Sequence, residues 1–164
     1  MNQTELISAW KAEEKIAHMI EFGQRNTDVV MLLHGGGLSW WNYREAARLL
    51  EAQYHVVLPV LDGPADSDAP FTTIENNAAS LISYIDTHFG GQVTAIGGLS
   101  LGGQIAVEML SQRPQICRCA LLESALVKPM KLTAMLIGPA FGMSYGLIKQ
   151  KWFAKVQADY LGIP

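Results

Sequence analysis

The chain has 164 residues, one domain's worth, of which 49% are apolar and 16% charged. That balance supplies a sizeable core and excludes disorder, and a net charge of −3 excludes a basic nucleic-acid surface. Two cysteines, Cys117 and Cys119, are too few for a disulfide framework or a zinc site, so a reduced, cytoplasmic setting is the default.

The N-terminus, Met1 to Lys15, is polar, carries Glu5, Glu13 and Glu14, and lacks the basic start and apolar centre of a signal peptide. Leu6 to Ile20 suggests an amphipathic stretch through Leu6, Trp10, Ile16, Ala17 and Ile20; Ile16 to Phe22 reads equally as a strand. Gln24 to Asp28 is a turn. Val29 to Leu33 is a continuous apolar run, the pattern of a strand covered on both faces. It ends in His34-Gly35-Gly36-Gly37, where three glycines let backbone N–H groups converge. The functional reading is an anion or oxyanion cradle, and the plain reading is a flexible turn. A helix follows with Tyr43, Ala46, Ala47 and Leu50 on one face, and Trp40 and Trp41 before it read as packing.

His55 to Leu61 is the next strand, and Asp62 to Pro70 is dense in turn formers. The three aspartates there match no standard ion loop and read as turn and cap residues, so no metal is expected. Thr72 or Thr73 caps a helix whose stripe is Ile74, Ala78, Leu81, Ile82 and Ile85, and Gly90 stops it. His88 in its last turn suits the helix dipole.

The run Val93 to Ile96 then leads into Gly98-Leu99-Ser100-Leu101-Gly102, and a helical pattern, Leu101 to Gln112, leads out. To lift a serine hydroxyl off a strand end, the backbone must turn sharply. The apex residue sits in strained dihedrals, and its neighbours two before and two after must be small. Ser100 is therefore the candidate nucleophile, with the Leu101 N–H facing where an oxyanion would form. No lysine follows the glycines, which excludes a P-loop, and the spacing is not that of a dinucleotide fingerprint. Pro114 marks the helix end, and Cys117 to Glu123 is a further strand, its cysteines on one face as small buried hydrophobes.

Alternation of strand and helix makes an α/β fold with a mostly parallel sheet and helices on both faces. Ligands in such sheets sit at the carboxyl ends of strands, where His34 to Gly37, Asp62, Ser100 and Glu123 all fall. Pro129 to Pro164 changes character, rich in Met, Gly and aromatics, with helical pieces near Lys131–Ile137 and Tyr145–Tyr160; it reads as a lid over the site. Leu132 to Ile148 carries no charge but is broken by Gly138, Pro139, Gly142 and Gly146, so no membrane span is expected.

HGGG at His34–Gly37 after a strand, a turn-rich loop after the next strand, and GLSLG between strand and helix together resemble the α/β-hydrolase fold, over roughly Val29 to Glu123. The segment from Pro129 on is similar to the start of the helical cap of many members. The resemblance implies residues 1–128 as the N-terminal portion of the hydrolase core and 129–164 as the start of the cap. It implies Ser100 as nucleophile, the N–H groups of Leu101 and of Gly36 or Gly37 as oxyanion donors, and no cofactor. Some members place their acid where Glu123 stands. The implied activity is esterase-like hydrolysis of a small molecule: an ester, amide, thioester or lactone. The family's order is serine, acid, histidine, yet His18, His34, His55 and His88 all precede Ser100. The expectation is therefore a chain truncated within its cap, weak or inactive as it stands. The partners expected are a small-molecule substrate, neither nucleic acid nor membrane, and a second copy through an exposed sheet edge or the apolar cap. The alternative is a non-catalytic binding or assembly module that keeps the fold.

Overall fold

The computed structural model describes residues 18–63 and 70–127, with Gln150, Trp152, Phe153 and Val156 beyond them. The chain divides into two compact units, Met1–Val127 and Lys128–Pro164. Among its described residues the first holds five strands: β1 (Met19–Phe22), β2 (Val29–Leu33), β3 (His55–Pro59), β4 (Val93–Leu99) and β5 (Cys117–Glu123). Its helices are a 3-10 turn at Trp40–Tyr43 running into α1 (Arg44–Leu50), then α2 (Ile74–Phe89) and α3 (Leu101–Gln112). In the second unit, Trp152, Phe153 and Val156 are helical. The rest of the lid reading, the uncharged run from Leu132 to Ile148 and most of the aspartate loop lie outside the described residues.

The strands form one sheet in the order β1-β3-β2-β4-β5. β3, β2, β4 and β5 are parallel, joined by helical crossovers, whereas β1 pairs antiparallel with β3, Met19 opposite Pro59 and Phe22 opposite Val56. The strand reading of Ile16 to Phe22 thus holds for Met19–Phe22, and the sheet is mostly parallel, as expected, with one antiparallel strand. Pro59 closes β3 at its carboxyl end, where a missing N–H costs the ladder least.

β2 is buried along its whole length because both faces are covered. Val29, Met31 and Leu33 pack with Ala78, Leu81, Ile85, Ile105 and Met109 of α2 and α3. Val30 and Leu32 point the other way and pack with Val56, Leu58 and Ala47 of α1. The period-two alternation of a strand thereby feeds two cores with one run of five apolar residues. Helix ends follow their local chemistry. The Thr73 hydroxyl accepts from the Asn76 N–H at 3.1 Å, and Gly90, at φ +65°, closes α2 in the left-handed region.

β5 departs from expectation. Cys119 is exposed and Cys117 only half-buried. The two do share a face, but β5 borders β4 alone among the described strands, so its side chains are mostly in the open. Burial still pushes the Cys117 thiol above its ordinary value.

Candidate active site

Four parallel strands of one sheet end on the same edge, and that edge carries the residues singled out from the chain. β4 stops at Leu99, α3 starts at Leu101, and Ser100 is the single residue of the bend between them, at φ 51° and ψ −108°. For a non-glycine residue this is strained backbone, sustained only where the surroundings over-determine it. They do so here from both sides. The Ser100 N–H donates to the Glu123 carbonyl at 2.8 Å, and its carbonyl accepts from the Gln104 N–H at 2.9 Å. Ser100 is exposed, its hydroxyl does not cap its own helix, and no described side chain hydrogen-bonds to it.

The flanking glycines permit the bend by close approach. A Cβ on Gly98 would strike the Gly102 backbone, and one on Gly102 would strike the Leu33 carbonyl and lie 2.7 Å from that of His34. The first turn of α3 therefore rests directly on the end of β2, and the glycine loop starts beside the elbow. A Cβ placed on Gly35 would lie 3.5 Å from Leu99, and one on Gly36 3.7 Å from Leu101. The loop thus runs along the residues on either side of Ser100. Gly36 and Gly37 are exposed, and the Leu38 N–H closes a turn onto the Gly35 carbonyl at 3.2 Å, with Gly37 at φ +76°. A positive φ at the third position of such a turn is what glycine supplies without strain.

His34 holds the loop from below. It is fully buried, its Nδ1 lies 2.9 Å from the Gly35 carbonyl, and the Leu61 N–H donates to its Nε2 at 3.1 Å. A carbonyl only accepts and an amide only donates, so Nδ1 carries the proton and Nε2 is the acceptor. Both nitrogens are engaged in tying the β2 loop to the end of β3. This role was not visible in the sequence, where His34 is simply the residue before three glycines.

The other sequence candidates fall as follows. Asp62 lies beyond β3, its N–H donating to buried Asn77 Oδ1 at 3.3 Å. Glu123 ends β5 beside Leu99, its side chain exposed and close enough to Tyr43 to matter electrostatically. Burial first, then the Glu123 charge, pushes the Tyr43 phenol above its ordinary value. Tyr43, Leu32, Gly97, Leu121, Leu122 and Glu123 line an open groove of about 350 Å³ on the α1 side of the sheet. His55 and His88 line a different cavity, of about 410 Å³, at the opposite, amino edge. His55 Nε2 donates to Glu21 at 2.5 Å, His88 Nδ1 to the Tyr84 carbonyl at 3.0 Å, and His18 is exposed just before β1. Among the described residues, no group of three or more His, Cys, Asp and Glu is placed to hold a metal ion, and no helix is long and apolar enough to cross a membrane.

Comparison with known proteins follows this geometry. Residues 28–160 match the sequence pattern of the alpha/beta hydrolase fold. A soluble epoxide hydrolase from Corynebacterium sp. (strain C12) is 31% identical over 78 residues, 47% of this chain and 27% of that protein. A thermophilic esterase from Thermogutta terrifontis superposes with a TM-score of 0.65 at 23% identity, over 73% of this chain and 44% of its own. A serine hydrolase from Cycloclasticus zankles gives 0.59 at 23% identity, over 68% and 42%. At such identities the two structures speak to fold alone, and this chain spans less than half the length of any of the three. The profile match covers most of the chain and agrees with the strand order, the elbow and the glycine loop: the chain belongs to the α/β-hydrolase fold family.

Proposed function

We propose that the chain carries the nucleophile and oxyanion half of a serine hydrolase acting on small ester-like substrates. Ser100 Oγ adds to the substrate's carbonyl carbon and gives up its proton to a base. The N–H groups of Leu101 and of Gly36 or Gly37 hold the oxygen that becomes negative. The C–O bond to the alcohol breaks, the alcohol leaves with a proton, and water then releases the acid from the serine ester. Donors of this kind are worth about a hundredfold or more in rate each. The observation that carries the reading is Ser100 itself, an exposed hydroxyl at φ 51° with a glycine loop along its flank.

Neutral His34 has both nitrogens occupied, and His55 and His88 line the far edge of the sheet. Without a base a serine hydroxyl is a poor nucleophile, so this chain acylates slowly and turns over weakly. Glu123, beside the elbow strand, is the acid this reading retains, awaiting a histidine to orient. The test is acylation of Ser100 by 4-nitrophenyl acetate, followed by intact mass. One acetyl group that maps to Ser100 and is lost in Ser100→Ala supports the reading, and equal acetylation of the two proteins removes it.

A second reading, an assembly module, draws on the exposed Leu121 and Leu122 of edge strand β5. Self-association at that edge, measured by sedimentation, in a chain whose Ser100 does not acylate separates it from the first.

A further inference from the structure

A second residue shares the positive φ of Ser100 one strand away. β4 and β5 run in parallel register, Gly98 beside Leu122 and Leu99 beside Glu123. The Ser100 N–H bonds to the Glu123 carbonyl, which extends the ladder by one step and brings Ser124 to the next rung. Neighbouring strands lie about 4.8 Å apart, and each serine is the first residue past its strand, so both follow adjacent strand ends at the carboxyl edge. Among the described residues, these two are the non-glycine residues with positive φ, 51° at Ser100 and 52° at Ser124. Both are exposed, and neither hydroxyl hydrogen-bonds to a described residue. Glycine would occupy the Ser124 backbone without strain, yet a hydroxyl-bearing residue stands there.

The sheet order gives the site two flanks. The glycine loop follows β2, on one side of β4, and Ser124 follows β5, on the other. A carbonyl oxygen held toward the glycine loop leaves the β5 flank to one of the carbonyl carbon's other two substituents. We infer that Ser124 is a substrate-positioning residue. Its hydroxyl donates a hydrogen bond to an oxygen on the acyl carbon next to the scissile carbonyl, so the site favours alkoxy- or hydroxy-acyl esters over plain alkyl ones. This rests on Ser100 acting as the nucleophile.

The test compares acylation rates of Ser100 by 4-nitrophenyl acetate and by 4-nitrophenyl methoxyacetate, corrected for the two esters' rates in buffer. The wild-type chain should favour methoxyacetate. Ser124→Gly should lower the methoxyacetate rate about 3- to 10-fold, one hydrogen bond's worth, and leave acetate within about twofold. Ser124→Asn, a residue that visits positive φ more readily than most and keeps a donor, should restore most of the preference. A structural role alone would move both esters together and would not be rescued by asparagine. An unchanged ester ratio in Ser124→Gly overturns this inference and leaves the nucleophile standing. No acylation of the wild-type chain above Ser100→Ala overturns both.

Discussion

A methyl group added at Gly102 meets the backbone of Leu33 and His34, not a side chain that can swing away. Gly102→Ala should therefore push α3 off the end of β2. Overpacking against backbone costs on the order of 3 kcal/mol, read as a lower midpoint in urea, and acylation of Ser100 should fall with it. Unchanged stability would mean that the helix does not rest where the structure puts it. His34 is the complementary case, because removing its ring strands the buried Leu61 N–H. His34→Ala should cost about 2 kcal/mol and loosen the glycine loop, again measured by urea unfolding. Of these residues, Ser100 and the glycines were legible in the chain, because a tight bend between strand and helix demands particular residue types at fixed spacing. The two bonds of His34 were not, since its partner Leu61 lies 27 positions away. Ser124 was equally hidden: its likeness to Ser100 exists only once β4 and β5 are placed in register.

At the scale of elements, β1 is held to the rest of the sheet by more than its ladder. Glu21 accepts from His55 at 2.5 Å, from Tyr84 of α2 at 3.2 Å and from Gln24 at 3.3 Å. One carboxylate thus joins β1, the start of β3 and α2. Burial raises the affinity of Glu21 for a proton, but the three hydrogen bonds and the His55 charge outweigh it, and its pKa ends below the ordinary value. Burial, then the Glu21 charge and bond, drives the Tyr84 phenol up to about 12. A carboxyl depressed in the folded state contributes stability above its unfolded pKa and loses it as pH falls through the folded value. The stability advantage of the wild type over Glu21→Gln should be present at about pH 6, above the ordinary glutamate pKa, and shrink as pH falls through the lowered folded value, measured by urea unfolding at each pH. An advantage that persists at the acid end would exclude the carboxylate as its source. No pattern in the chain announces this cluster, whose members are 34 and 63 positions apart. The elements it joins were easier. β2 announced itself as five consecutive apolar residues, and α2 by its stripe and glycine stop. β1, four half-buried residues, was open to two readings because a short edge strand lacks a period long enough to decide.

At the scale of the molecule, one sheet edge gathers the chemistry, and β5 borders no second strand among the described residues. The parallel order of β3, β2, β4 and β5 brings the glycine loop, Ser100 and Glu123 to a common rim, which alternation of strands and helices already implied, and sets Ser124 beside them. What alternation could not supply was the exposure of β5, where Leu121 is 63% and Leu122 46% exposed, since that depends on which strands lie next to it. An open strand with apolar side chains recruits another strand. The chain should self-associate with rising concentration in sedimentation velocity, and Leu122→Lys should return it toward monomer; a wild-type monomer at every concentration would exclude pairing at this edge. The reactivity of the Ser100 hydroxyl is reported most directly by an active-site fluorophosphonate. Incubated with the full chain, the reagent should attach once, at Ser100, and Ser100→Ala should abolish the adduct. An adduct of equal yield in the alanine variant, or none in either protein, would contradict the account.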